Sequence, residues 1–171
     1  GKGSTGKETL RPVYNVYFMG RIDKEDCSRH YTGNSRSLNS SGSGPWRYQY
    51  DAGWYYRSLA GGFRSEVGTP SLPTAETVRE FMAEEDTWPI SDVWYYHDWH
   101  NHGYGGKTFS ELYKEGMDRK LGPSDNLDDF CRKAQLINYE SHRAIFEAWN
   151  SKMWNDASGV LLWMSHPAWP S

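Results

Sequence analysis

The spacing of apolar residues predicts a mixed helix and strand protein. Val13 to Met19 mixes β-branched and aromatic residues, which suits a strand or a short buried segment. His30 to Ser35 is a short candidate strand with a polar end. Ser37 to Pro45 (SLNSSGSGP) reads as a loop inside a domain. Gly61-Gly62 and Gly68 bracket a strand over about 62–67. A helix is then signalled: Thr74 is a natural N-cap, Glu76 suits the first turn, and Val78, Phe81 and Met82 keep helical spacing to about Glu84. Residues 86–123 show no clear period, and long irregular segments are usually functional or flexible. Ser124 to Trp154 carries the clearest helical repeat, with Leu127, Phe130, Ala134, Ile137, Ala144, Ile145 and Ala148 on one side. Ser124 or Asn126 caps it, and Asp128 and Asp129 suit its positive end. Gly159 to Ser165 reads as a fully buried strand, of the kind found in parallel sheets covered on both faces. No internal repeat is visible.

Three strands in order, near 30–35, 62–67 and 159–165, with helical connections, suggest β-α-β units. In barrels built from such units the chemistry sits at the C-terminal strand ends. Those ends present Asn34 and Ser35, then Glu66, then Ser165 and His166.

Composition narrows the function classes. The 171 residues suffice for one domain but are too few for most complete (β/α)₈ barrels. A net charge of −3 argues against a nucleic acid or membrane surface held by bulk charge. No apolar run approaches the roughly 20 residues of a membrane span. The Gly- and Lys-rich start lacks a signal-peptide pattern and reads as a flexible leader over 1–12. Cys27 and Cys131 make no disulfide framework, so the redox compartment stays open. Aromatic content is high: 9 Trp, 12 Tyr and 6 Phe, at a mean hydropathy of −0.86. Flat amphipathic side chains in a polar chain suit either stacking on sugar rings or a Trp-rich core with a partner interface.

Several constellations bear on chemistry. Gly1, Gly6 and Lys7 imitate a phosphate loop, but Glu8 stands where a magnesium-binding hydroxyl belongs. Arg64 and Glu66 share a strand face by spacing, so the guanidinium is expected to keep the carboxylate ionised; a surface ion pair is the alternative. His97, His100 and His102 allow a metal site or a solvated loop, and the absence of a further ligand group nearby favours the loop. Cys131 lies in the long helix beside Phe130, where a buried, inert thiol is expected.

The segment GGFRSEVG, Gly61 to Gly68, resembles the nucleophile segment of glycoside hydrolase family 2. The similarity is to the branch holding exo-β-glucosaminidases, β-mannosidases and mannosylglycoprotein endo-β-mannosidases. Ser28-Arg29-His30-Tyr31 with Asn34-Ser35 resembles that branch's sixth barrel strand, and Ser43-Gly44-Pro45-Trp46 a following loop. Pro73-Thr74 with Val78-Arg79 matches the next helix. Leu127 to Cys131, Lys133-Ala134-Gln135, Tyr139, Glu147, Trp149 and Met153-Trp154 resemble the long helix after it. Gly159 to Trp163 is similar to the eighth strand. The resemblance covers about residues 28–169.

It implies an α/β fold forming part of a (β/α)₈ TIM barrel, approximately strands 6 to 8 with their helices. Residues 1–171 would be a partial glycosidase catalytic domain, with 13–171 as the barrel segment. It implies retaining hydrolysis of a β-mannoside, β-glucosaminide or β-galactoside, with Glu66 as nucleophile and Trp163 as a sugar platform. Trp169, Trp94 and Trp99 become candidate pocket linings, and Asn34, Ser35 and Arg64 candidate substrate contacts. No metal and no cofactor is expected. A secreted, periplasmic or lysosomal setting is suggested by the family alone. The family's acid/base is a Glu after an Asn on the fourth strand, and no Asn-Glu pair occurs in this chain. The expectation is therefore a piece of a barrel that works with the remainder of the barrel or another chain. The rival expectation is a non-catalytic carbohydrate-binding domain that uses its aromatic platform.

Overall fold

The computed structural model describes residues 12–28, 44–97, 99 and 108–163. Six helices and two strands are present among them. They are α1 (Pro12–Glu25), β1 (Gly62–Val67), α2 (Ala75–Phe81), α3 (Glu84–Thr87), α4 (Asp92–Tyr96), α5 (Phe109–Leu121), α6 (Leu127–Lys152) and β2 (Ala157–Leu162), with a π-helical turn at Tyr55–Leu59 before β1. The candidate strand at 30–35 and residues 1–11 of the leader lie outside the described residues, while Pro12 already belongs to α1.

Helix α6 organises the molecule because its apolar stripe runs its whole length. Asn126 caps it by accepting the Asp129 N–H at 2.9 Å. Its N-terminal half packs Leu127, Phe130, Ala134 and Ile137 against α2, Trp94 and α5. Its C-terminal half packs Ala144, Ile145, Ala148 and Trp149 against Tyr55, Leu59 and Val67. One helix thus connects an aromatic helical core to the strands.

Thr74 caps α2 by accepting the Thr77 N–H, as its position predicts. That helix ends at Phe81, and α3 follows it. The segment 86–123 is more regular than its sequence suggests: it holds α4 and the 13-residue α5. A reciprocal cap starts α5. Thr108 accepts the Glu111 N–H at 3.2 Å, and the Glu111 carboxylate accepts the Thr108 N–H at 2.6 Å. Gly116 sits where a side chain would collide with the Tyr48 ring, so α5 approaches that ring closely.

Two expectations are corrected. Val13 to Met19 is not a strand but part of α1, and Val16, Tyr17, Phe18 and Met19 are exposed, not buried. Pro12 opens this helix at the position where its missing N–H costs nothing. An Arg21–Glu25 ion pair one turn apart supports its end. The strand after Gly159 begins earlier, at Ala157, and is not fully buried: Leu161 is 52% exposed. Among the described residues β2 has one sheet neighbour, β1.

The pairing itself is parallel, as β-α-β connection requires. Phe63 aligns with Gly159 and Arg64 with Val160. Val67 aligns with Leu162, so the stretch of β1 between Arg64 and Val67 carries one residue more than the stretch it faces.

Candidate active site

Glu66 occupies that longer stretch. An extra residue bends a strand and re-aims its side chains, and such bulges recur beside active sites. The carboxylate is half-buried and forms no hydrogen bond or ion pair with a described residue. The next residue, Val67, is fully buried in the core under β1, which anchors the strand end on which Glu66 stands.

Two clasps fix this strand end. On one side the Trp163 N–H donates to the Val67 carbonyl at 2.9 Å, joining the ends of β2 and β1. Gly68 makes that join possible, because an added Cβ would collide with the Trp163 carbonyl oxygen. On the other side the Gly68 N–H donates to the Pro45 carbonyl at 3.1 Å. Arg64 Nη1 donates to the Gly44 carbonyl at 3.0 Å. The segment Gly44 to Trp46 therefore lies along β1 opposite β2. Neither the two carbonyls nor the role of Gly68 follows from composition or periodicity. The usable signals were the Gly44-Pro45 turn and a glycine two residues after the carboxylate.

Arg64 does not pair with Glu66. The same-face expectation assumes strict alternation, and the extra residue between Arg64 and Val67 breaks it. The guanidinium turns to Gly44 instead, and burial pulls its pKa below the ordinary guanidinium range.

Trp163 follows β2 directly and is 48% exposed, at the same end of the sheet as Glu66. A half-exposed indole anchored through its backbone has the form of a stacking platform. Trp94 has not. It is 3% exposed, its Nε1 donates to the carbonyls of Asp86 and Thr87, and it meets Trp99 and Phe130 edge to face. Trp99 packs against the same core, with contacts to Tyr113 and Phe130. Trp94 belongs to the helical core, and Trp99 is partly buried against it.

Asn34, Ser35 and Trp169 lie outside the described residues, as do Ser165, His166, His100 and His102. His97 packs against the Phe81 ring. Among the described residues no three His, Cys, Asp or Glu side chains gather as metal ligands. Cys131 is buried, and burial pushes its thiol up to about 11, which suits an inert core residue. No helix among the described residues is long and apolar enough to cross a membrane.

No family model matches the chain, and no solved structure matches it. Curated proteins do. The mannosylglycoprotein endo-β-mannosidase of Lilium longiflorum is 35% identical over 123 residues, which is 63% of this chain and 12% of the lily protein. The exo-β-D-glucosaminidase of Amycolatopsis orientalis is 32% identical over 142 residues, 75% of this chain and 13% of that protein. The β-mannosidase B of Aspergillus niger is 27% identical over 120 residues, 68% of this chain and 13% of that protein. All three are glycosidases by name. The similarity is to exo-β-glucosaminidases, β-mannosidases and a mannosylglycoprotein endo-β-mannosidase, consistent with that branch of glycoside hydrolase family 2. The chain spans 12 to 13% of the length of these three relatives.

Proposed function

We propose that this chain supplies the nucleophile segment of a retaining β-glycosidase acting on β-mannosides or β-glucosaminides. The observation that carries the reading is the placement of Glu66. It sits in an irregular stretch at the C-terminal end of a parallel strand, beside the half-exposed Trp163 at the end of the neighbouring strand. The names of the relatives support the substrate class.

In this reading β1 and β2 are the seventh and eighth strands of a (β/α)₈ barrel, and their exposed positions meet the rest of the barrel. Phe63, Leu161 and Trp163 are exposed, which supports a covering partner from the remainder of the barrel or another chain. Trp163 lies under the sugar in the cleaved subsite. An oxygen of the Glu66 carboxylate attacks the anomeric carbon, and the glycosidic C–O bond breaks as the new C–O bond forms. A second carboxylic acid, about 5–5.5 Å away, protonates the leaving oxygen. It then removes a proton from the water that displaces Glu66 and releases the sugar with its configuration retained. That second group is expected upstream, after an asparagine.

The test is Glu66→Gln in the full-length protein, with turnover of aryl β-mannoside and β-glucosaminide substrates. Loss of turnover with sugar binding intact supports the reading; turnover close to wild type overturns it. The half-exposed Trp163 favours one second reading, a carbohydrate-binding domain without catalysis. It predicts saturable sugar binding that Trp163→Ala weakens, in a protein with no turnover to lose.

A further inference from the structure

We propose that Arg64 is a positioning residue for Glu66, acting by tying β1 to the Gly44–Pro45 segment. The inference rests on the reading of Glu66 as nucleophile. Arg64 stands two residues before Glu66 and Gly68 two residues after it. Each reaches one of two consecutive carbonyls: Arg64 Nη1 to Gly44 at 3.0 Å, and the Gly68 N–H to Pro45 at 3.1 Å. The two bonds bracket the carboxylate along the strand.

The bracketed stretch is also the one with the extra residue, where the ladder to β2 is interrupted. A strand loses its regular restraint there, so the direction of Glu66 depends on what holds the flanks. The flank after Glu66 is held twice, by Gly68 to Pro45 and by Trp163 to Val67. The flank before it is paired with β2 as far as Arg64 and Val160, and the Arg64 side chain adds a tie on the opposite side. The acceptor is itself fixed: Gly44 has φ +75°, a backbone state that suits glycine, and the Trp46 ring packs where a Cβ would stand. Arg64 is half-buried, and its Nε is buried without a partner. A guanidinium serving only solubility would keep its donors in water, since a buried donor without a partner is costly. Substrate contact is not required of it; its effect reaches the reaction through Glu66.

The experiment compares Arg64→Ala, Arg64→Lys and Glu66→Gln in the full-length enzyme. Misplacement of the nucleophile by about 1 Å costs roughly 100-fold in rate, so Arg64→Ala is expected to lower kcat by about that factor. Its KM should stay within about threefold, because the loss falls on the reacting geometry and not on sugar binding. Added guanidinium at millimolar concentration should restore part of kcat in Arg64→Ala and none in Glu66→Gln. Arg64→Lys keeps the charge and one donor but not the reach, and should fall between wild type and Arg64→Ala. A kcat of Arg64→Ala close to wild type overturns the proposal, as does a loss that guanidinium leaves unchanged. If Arg64→Ala does not fold, Arg64→Lys decides: wild-type kcat in that variant overturns the role, and a reduced kcat at unchanged KM and melting temperature supports it. Turnover surviving in Glu66→Gln sinks the nucleophile reading itself. Turnover lost there but intact in Arg64→Ala sinks the positioning role alone.

Discussion

The helical core and the strand ends use aromatic side chains in opposite ways. Around α5 and α6, Trp94, Trp99, Tyr113 and Phe130 meet edge to face, and polar tips find backbone partners. The Tyr113 hydroxyl, for example, donates to the Ala134 carbonyl at 3.0 Å. At the strand ends Phe63 and Trp163 stand exposed, and Trp163 is held through its main chain while its ring stays open. Both regions contribute to the same aromatic count. What separates them is the setting of the ring: Trp94, Trp99 and Phe130 meet other rings, and Trp163 stays half-exposed at the strand end that carries Glu66. A high Trp and Tyr content therefore covers two settings here, and only the surroundings of each ring tell them apart.

The contrast is sharpest at Phe130, which is fully buried and touches Trp88, Trp94 and Trp99. Phe130→Ala should cost about 3–5 kcal/mol in denaturant unfolding. A cost under about 1 kcal/mol would mean that the core is looser than its ring contacts indicate. Gly68→Ala should come next, at about 1–3 kcal/mol, because its Cβ meets the Trp163 carbonyl and the strand ends must part. Its activity loss should exceed its stability loss, since the clasp borders Glu66. Thr108→Ala removes one half of a reciprocal cap and should cost about 1 kcal/mol, with no change in sugar binding. Trp163→Ala should shift stability by less than about 0.5 kcal/mol, as expected for a half-exposed ring. The same change should weaken sugar binding about tenfold, near 1.4 kcal/mol, in a titration of the full-length protein. A stability loss comparable to that of Phe130→Ala would place Trp163 in a core and remove the contrast.

Much of the scaffold was legible in the sequence because burial leaves a period. The stripe from Leu127 to Ala148 marked α6, Thr74 marked the start of α2, and the glycines around residues 62–67 marked β1. Helix α5 escaped that reading because its buried side includes Ser110 and Gly116, small residues that let Tyr48 approach and that carry no apolar signal. Thr108 and Glu111, three residues apart, were the signal that remained. Helix α1 misled because Val16, Tyr17 and Phe18, all exposed, are β-branched or aromatic and look like strand formers. At the site, the proposal for Glu66 rests on the motif around it. The turning of Arg64 away from Glu66 was not legible, because a single extra residue in a strand changes which side chains share a face and leaves no trace in composition.

The central claim is that Glu66 forms the covalent bond to the sugar. An activated 2-fluoro β-glycoside traps such a bond, since the fluorine slows both oxocarbenium-like steps and the activated leaving group speeds only the first. The full-length protein would be inactivated with this reagent, digested and weighed by mass spectrometry. The account predicts one sugar adduct, on the peptide running from Ser65 to Arg79, that is absent from Glu66→Gln. An adduct on any other carboxylate, or inactivation of Glu66→Gln at the wild-type rate, would contradict it.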